Sequence, residues 1–408
     1  MNYQESITWL YGTQLFGIKL GLDQITRLLN ELGIFDALDD TKIIHVAGTN
    51  GKGSVCAFSE QILRNGGLKT GLFTSPHLIS FRERIQISGV WISETDVSEG
   101  LKLIKQKVDS WETHPTFFEI CLVLAMRQFC HAGCDVIILE TGMGGRLDAT
   151  NALKADVSVI TSISLDHQQW LGETIREIAS EKAGIIKPET PVVVADLHPE
   201  ARDVVGRRAL MLGVPYIEAH PLPAEWELGL KGPHQRENAA LAVEAACRVE
   251  GERLTQEGIR ESLAQTIWPG RFEWMEENRI VLDGAHNPQA AAALREAWCE
   301  SFPNKKAHLV FGAVASKDID EVFEALLPIL GEVTFVKVDS QRAMEIAEME
   351  AAFAELETGL KAGHADCLSE ALAVDSTSER ITLVTGSLFL VGEARGILVG
   401  KDFEPSLQ

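Results

Sequence analysis

Short, almost wholly apolar runs alternate along the chain with longer stretches in which apolar residues recur at helical spacing. Lys42–Ala47 (KIIHVA) reads as a buried strand and Val55–Arg64 as a helix closed by Gly66-Gly67. Leu68–Phe73 is strand-like, Glu119–His131 helical, and Asp135–Leu139 (DVIIL) and Val157–Ser162 (VSVITS) are strands. A helix at Ile175–Lys182 precedes a strand at Pro191–Ala195. Strands this apolar are buried on both faces, which predicts a mostly parallel sheet with helices on each side. The pattern restarts after about residue 270. Strands are expected at Arg279–Leu282, Ala307–Phe311, Val333–Val338 and Ile381–Val384, with helices at Pro288–Phe302 and Ile319–Leu327. The fold class is therefore α/β in two units, 1–268 and 269–408, with a hinge at Thr266–Gly270 where Pro and Gly interrupt the pattern.

Composition narrows the function. Of 408 residues, 37 are Lys or Arg and 59 Asp or Glu, a formal net charge of −22. Such a field repels polyanions, which argues against nucleic acid and anionic membranes as partners. An anionic ligand is then bound only where amides or cations reverse the sign locally. Seven cysteines at 56, 121, 130, 134, 247, 299 and 367 form no CxxC pair. They read as reduced, mostly buried thiols. The N-terminus lacks a basic and then apolar leader, and no apolar run approaches a membrane span, so a cytoplasmic protein is expected.

The strongest local chemistry is Gly48–Ser54, GTNGKGS, which leaves a strand and opens a helix. Gly48, Gly51 and Gly53 let backbone amides approach an anion, with the helix N-terminus behind them. Thr49, Asn50, Gly51, Lys52, Gly53 and Ser54 are thus the ATP-binding candidates. Lys52 supplies a mobile cation and Ser54 a hydroxyl for Mg²⁺. The spacing departs from the usual phosphate loop, because Gly53 separates Lys52 from Ser54. The plain alternative is a glycine-rich turn without a ligand.

Glu140, His167 and Ser75 each lie just past the C-terminal end of a predicted strand, the edge where ligands gather in open parallel sheets. With Ser54 they form a donor set for Mg²⁺ beside triphosphate oxygens; the imidazole also admits Mn²⁺. Their structural alternatives are a turn anion, a packed histidine and a helix cap.

HVAGTNGKGS resembles the phosphate loop of the Mur ligase family, and within it the folylpolyglutamate and dihydrofolate synthases. FTSPHL (73–78), ETGMGGRLDATN (140–151), LDH (165–167), EKAGIIK (181–187), HQRENAA (234–240), PGRF (269–272), DGAHNP (283–288) and TGSLFLVGE (385–393) follow in the family's order. The resemblance implies a P-loop ATPase-like first domain and a smaller Rossmann-like second one. It implies carbamylation of Lys182 by CO₂, for which a solvated helix lysine is the bland alternative; the catalytic candidates are Lys182, Lys52, which neutralises charge, and His167, which matches a metal position. It places Asn238, Arg271 and Asp283 on ATP, the amide of Asn238 suiting the adenine edge, and puts His286 and Ser387 at the glutamate end of the cleft. A turn role for Asp283 and local structural roles for His286 and Ser387 remain open.

For the folate substrate the resemblance implies the loop at Leu20, Gly21 and Leu22, the carboxylate partner Arg82, the segment Thr116, Phe117, Phe118 and Glu119, and the turn Leu147, Asp148 and Ala149. Aromatic faces in the first segment suit a flat pterin, whereas a helix start with a core Phe is the alternative. In place of the family's Asp-Lys-Asp the chain has ASKD at 315–318, with Ser316 replacing the first acid. The implied activity is ATP-dependent addition of L-glutamate to a reduced folate, and to dihydropteroate, by a monomer. Another Mur-type amino-acid ligase, or a P-loop kinase or ATP-driven switch, are the rival readings.

Overall fold

The structure, a computed structural model, describes residues 1–16, 21–314, 319–340, 342–373 and 380–405. Its first sheet is built from β1 (Lys42–Ala47), β2 (Thr70–Phe73), β3 (Ile85–Ile87), β4 (Val90–Trp91), β5 (Val136–Glu140), β6 (Val157–Ile160), β7 (Val192–Val194) and β8 (Tyr216–Glu218). They lie in the order β4-β3-β2-β5-β1-β6-β7-β8. From β2 to β8 neighbouring strands are parallel, and the hairpin β3–β4 is antiparallel. β1 is central, with β5 on one side and β6 on the other, so the chain reverses its direction of winding there. Loops leaving β1, β5 and β6 therefore open a crevice between them.

Alternation along these strands explains why they read as continuous apolar runs. Ile44, Val46, Val136 and Ile138 face one core, and Ile43, Phe73, Ile137 and Leu139 the other. The helix Phe117–Ala132 covers the second face and the helix Lys52–Asn65 the first. The latter starts three residues before the expected Val55, because Gly51 in the left-handed region (φ 86°) turns the phosphate loop straight into it.

The second sheet contains β9 (Glu273–Met275), β10 (Ile280–Leu282), β11 (Ala307–Phe311), β12 (Leu330–Phe335), β13 (Lys361–His364) and β14 (Ile381–Thr385), ordered β13-β12-β11-β14-β10-β9. Only β9 runs antiparallel to its neighbour. β12 was expected at Val333–Val338. Instead it begins at Leu330, and its pairing with β11 ends with Phe335 opposite Phe311. Val336 and Val338 are buried beyond its end in the core of the second unit.

The cysteines also differ from expectation. All seven are free, but Cys247, Cys299 and Cys367 are exposed and Cys130 is half-buried, leaving Cys56, Cys121 and Cys134 inside.

The two units share apolar material. Leu78 and Ile79, in the loop between β2 and β3, belong to the core cluster of the second unit, with Val310, Val384 and Val391. The contact is close: a Cβ on Gly392 would stand 2.2 Å from Leu78 O. Leu78→Ala leaves a cavity there, and an equilibrium urea titration should show a loss of about 2–5 kcal/mol in unfolding free energy.

Candidate active site

The phosphate loop is fastened to the extension of β6. Thr49 N donates to Ser162 O (2.7 Å), Thr161 Oγ1 to Asn50 O (2.6 Å) and Thr49 Oγ1 to Ser164 O (3.2 Å). Gly48 packs so tightly that a Cβ would lie 1.7 Å from Thr161 Oγ1. Gly51 faces Asn238, whose Oδ1 would be 2.4 Å from a Cβ, and Gly53 faces Trp268 Nε1 at 2.8 Å. The Asn238 amide thus abuts the phosphate loop, with its Nδ2 donating to Gln235 Oε1 (3.0 Å). Backbone amides in the first turn of the helix after Gly51 have no intrahelical acceptor and form the anion nest. Ser54, in that turn, is buried.

Two lysines converge on this loop. Lys52 Nζ donates to Gly48 O (3.1 Å) and Thr49 O (3.0 Å). Lys182 Nζ, from the helix Ile175–Ala183, donates to Gly48 O at 2.8 Å. Lys182 is 3% exposed. Burial and then the Lys52 charge lower its pKa to about 7. The solvated-lysine alternative is therefore replaced by a buried amine on the phosphate loop.

Glu140 ends β5 and is buried. Its Oε2 accepts from Ser75 N (3.0 Å), which joins the loops leaving β5 and β2. Burial raises its carboxyl above the ordinary range, while Lys52, the Ser75 N–H and Arg271 pull the other way. His167 follows β6, has a positive φ of 50° and begins the short helix Gln168–Leu171; half its side chain is exposed. Burial lowers its pKa, opposed by Asp166. Asp166 itself resists ionisation through burial, but His167, His286 and Lys52 together hold its carboxyl below the usual range. Among the described residues no three His, Cys, Asp or Glu gather as a metal site. The candidate donors are instead two hydroxyls, one buried carboxylate and one imidazole, a set that would leave positions for phosphate oxygens and water. The Glu140 carboxylate is the hard anionic donor that fits Mg²⁺, whereas the Lys52 charge beside it opposes a cation.

The second unit faces the same crevice. Asp283 accepts from Phe272 N (2.8 Å) and Ala285 N (2.9 Å), and burial raises its pKa against the Arg271 charge. Arg271 Nη1 donates to Gly270 O (3.0 Å), and its charge reaches Asp283, Glu140 and His234. His286 is exposed, with Nδ1 2.8 Å from Gly284 O. Ser387 is buried and caps the helix Leu388–Val399 through Phe389 N (3.1 Å). The units also meet directly, since Asn50 and Asn287 pair through both amides (3.2 and 3.0 Å) and Asn50 Nδ2 donates to Gln289 Oε1 (2.8 Å).

The substrate candidates divide. Thr116 caps the helix Phe117–Ala132, and Glu119 closes that capping box while accepting from Ile25 N (3.1 Å). Phe117 is a core ring stacked on Tyr11 at 5.6 Å. Phe118, half-buried, lies over Gly142 in the loop after Glu140. Asp148 accepts from Met143 N (2.9 Å) and Thr150 N (3.0 Å), so it shapes its own turn between Leu147 and Ala149. Arg82 Nη1 makes a long contact with Ile92 O (3.5 Å), and the guanidinium sits over Trp91. Gly21 and Leu22 precede the helix Asp23–Glu31. Leu20 and Ala315–Asp318, with Ser316, fall outside the described residues.

Comparison with known proteins gives the family. The Mur ligase middle domain matches residues 46–205, and the Mur ligase glutamate ligase domain matches 270–388. The dihydrofolate synthase/folylpolyglutamate synthase of Bacillus subtilis is 34% identical, over 96% of this chain and 98% of its own. The chain belongs to the Mur ligase family, in its folylpolyglutamate and dihydrofolate synthase branch. The fold agrees. Mycobacterium tuberculosis folylpolyglutamate synthase, solved with ADP and AMPPCP, superposes with a TM-score of 0.87 at 30% identity, covering 99% of this chain and 100% of that one. Escherichia coli FolC in complex with DHPP and ADP gives 0.84 at 29% identity, covering 97% and 98%.

Sequence reasoning missed Trp268, Asn287, Gln289 and Asp166 in this Mur ligase. The first three meet the phosphate loop only through folding, whereas Asp166 stood beside His167 as an acid next to a candidate ligand. Gly48→Ala should abolish AMPPCP binding in calorimetry while leaving the fold intact by circular dichroism. Gly206→Ala, where a Cβ meets nothing within 4 Å, should bind as wild type.

Proposed function

We propose that the chain is a folate–glutamate ligase. ATP passes its γ-phosphoryl group to the carboxylate of a reduced folate or dihydropteroate, releasing ADP. The L-glutamate amine then attacks the acyl carbon of the mixed anhydride, loses a proton, and expels phosphate to leave an amide. Phosphorylation is needed because a carboxylate oxygen is a poor leaving group. The observation that carries this reading is the convergence of Lys52 and Lys182 on Gly48 O, opposite a second unit that pairs with the same loop through Asn287.

The protein's work is positioning and charge neutralisation. Thr49–Ser54 and Lys52 receive the triphosphate; Asn238, Arg271 and Asp283 complete the nucleotide's surroundings. Ser54, Ser75, Glu140 and His167 would hold Mg²⁺ or Mn²⁺, which when bound neutralises phosphate oxygens. Arg82 is assigned to a substrate carboxylate, and His286 and Ser387 to glutamate. Phe118, half-buried over Gly142, is the better placed of the two Phe residues for a pterin; the Leu20–Leu22 and Leu147–Ala149 segments are assigned to the same substrate. We divide the units at 268/269; the packing of Trp268 against Gly53 supports a hinge beside the phosphate loop, and closure there would exclude water from the acyl phosphate. We place the enzyme in the cytoplasm as a monomer without nucleic-acid or membrane partners; among the described residues no helix is long and apolar enough to cross a membrane.

Lys182 is assigned as a carbamate. Its neutral Nζ attacks CO₂ and loses a proton, turning a cation into an anion beside the metal candidates. Because its folded pKa is depressed to about 7, the reactive neutral amine accumulates as pH rises through 7. With ¹³C-bicarbonate, an NMR carbamate resonance should grow between pH 6 and pH 8 and be absent from Lys182→Arg. A resonance of equal intensity in that variant excludes the assignment.

Mass spectrometry tests the activity. Incubated with MgATP and L-glutamate, both dihydropteroate and tetrahydrofolate should each gain one glutamyl residue. Extension of tetrahydrofolate alone removes the dihydropteroate activity. ATP hydrolysis without either product favours another Mur-type ligase or an ATP-driven switch.

A further inference from the structure

Residues 401–405 lie far in sequence from the phosphate loop, yet they bind the segment that carries Ser75. Phe403 packs against Gly392 and Gly396 of the helix Leu388–Val399. Beyond it, Glu404 crosses to the first unit. Its Oε2 accepts from Phe81 N (2.8 Å), Ser80 Oγ (3.1 Å) and Tyr3 OH (3.2 Å). Its backbone N donates to Ile79 O (2.8 Å), and its carbonyl lies 3.0 Å from His77 Nε2.

The histidine fixes the direction of that last bond. Arg84 Nε donates to His77 Nδ1 at 2.8 Å, so Nδ1 is an acceptor and Nε2 carries the proton given to Glu404 O. The tautomer is thus specified from both sides in a buried site.

Apart from the Tyr3 bond, the Glu404 contacts fall on residues 77–81, the turn that follows Ser75. Ser75 N holds Glu140 Oε2, and Thr74 N holds Arg84 O (3.0 Å), so the turn starts at the candidate metal carboxylate and returns beside it. Phe81 is fully buried, and without Glu404 its N–H loses its acceptor away from water.

We propose that residues 401–405 are a strap from the second unit and that Glu404 is a positioning residue, setting the Ser75 turn against Glu140 for metal–nucleotide binding. This rests on the ligase reading only in taking Ser75 and Glu140 as metal ligands.

The test compares wild type with Glu404→Ala, Glu404→Gln and Tyr3→Phe. Mn²⁺ is titrated against each protein saturated with AMPPCP, with free Mn²⁺ read by electron paramagnetic resonance. Amide exchange is followed across residues 77–81. In Glu404→Ala, Mn²⁺ should bind about tenfold more weakly, the loss of a charged acceptor's hydrogen bonds, while exchange of this turn rises. Glu404→Gln and Tyr3→Phe should shift both readouts the same way by less, and they serve if the alanine variant does not fold. Faster exchange with unchanged Mn²⁺ affinity makes the strap merely structural and overturns the proposal, as does no change in either. Failure of glutamylation by the wild-type protein leaves both readouts standing, so the two readings fail separately.

Discussion

The site is registered on one close contact, that of Gly48 with Thr161. There is no room for a side chain between them, and the adjoining hydrogen bonds of Thr49, Asn50 and Thr161 tie the loop after β1 to the chain leaving β6. Once that loop is fixed, its outward carbonyl at Gly48 receives Lys52 and Lys182, and its inner turn at Gly51 meets Asn238. A parallel sheet supplies this geometry cheaply. Adjacent strands end at the same edge, so residues more than a hundred positions apart come together without a long structural detour.

The second constraint is charge. On the proposed reading, a chain of net −22 has to attract an anionic nucleotide, an anionic folate and glutamate. The structure meets it locally. Lys52, Lys182 and Arg271 surround the crevice with the helix amides, and the acids there, Glu140, Asp166 and Asp283, are bound to backbone donors or lie beside cations. Burial pulls the Lys182 pKa down to about 7, so near neutrality its amine contributes less than a full positive charge and Lys52 and Arg271 carry more of the field.

Much of the strand pattern in both units was legible because the central strands are buried on both faces. KIIHVA and AHLVF read as strands with the bounds they have in the structure. The exposed β13 (KAGH), with Ala362 and Gly363 between Lys361 and His364, carried no such signal, nor did the short hairpin β3–β4. Within the site, GTNGKGS, the strand-end Glu140 and His167 in the loop after β6 stood out since their chemistry is local. Thr116–Glu119 illustrates the opposite case. Its residues suit both a pterin and a capping box, and the hydrogen bonds between Thr116 and Glu119 belong to the box. Asn287, Trp268 and Glu404 act on residues over two hundred positions away, and one sequence carries no mark of such pairings.

Leu78 and Ile79 carry a consequence for how such enzymes can diverge. They are encoded between two strands of the first sheet but complete the core of the second. A second unit taken from a relative would meet side chains shaped for a different partner. Recombination between family members that exchanges the second sheet therefore has to bring along the segment around Leu78 as well, although that segment is encoded about two hundred residues earlier.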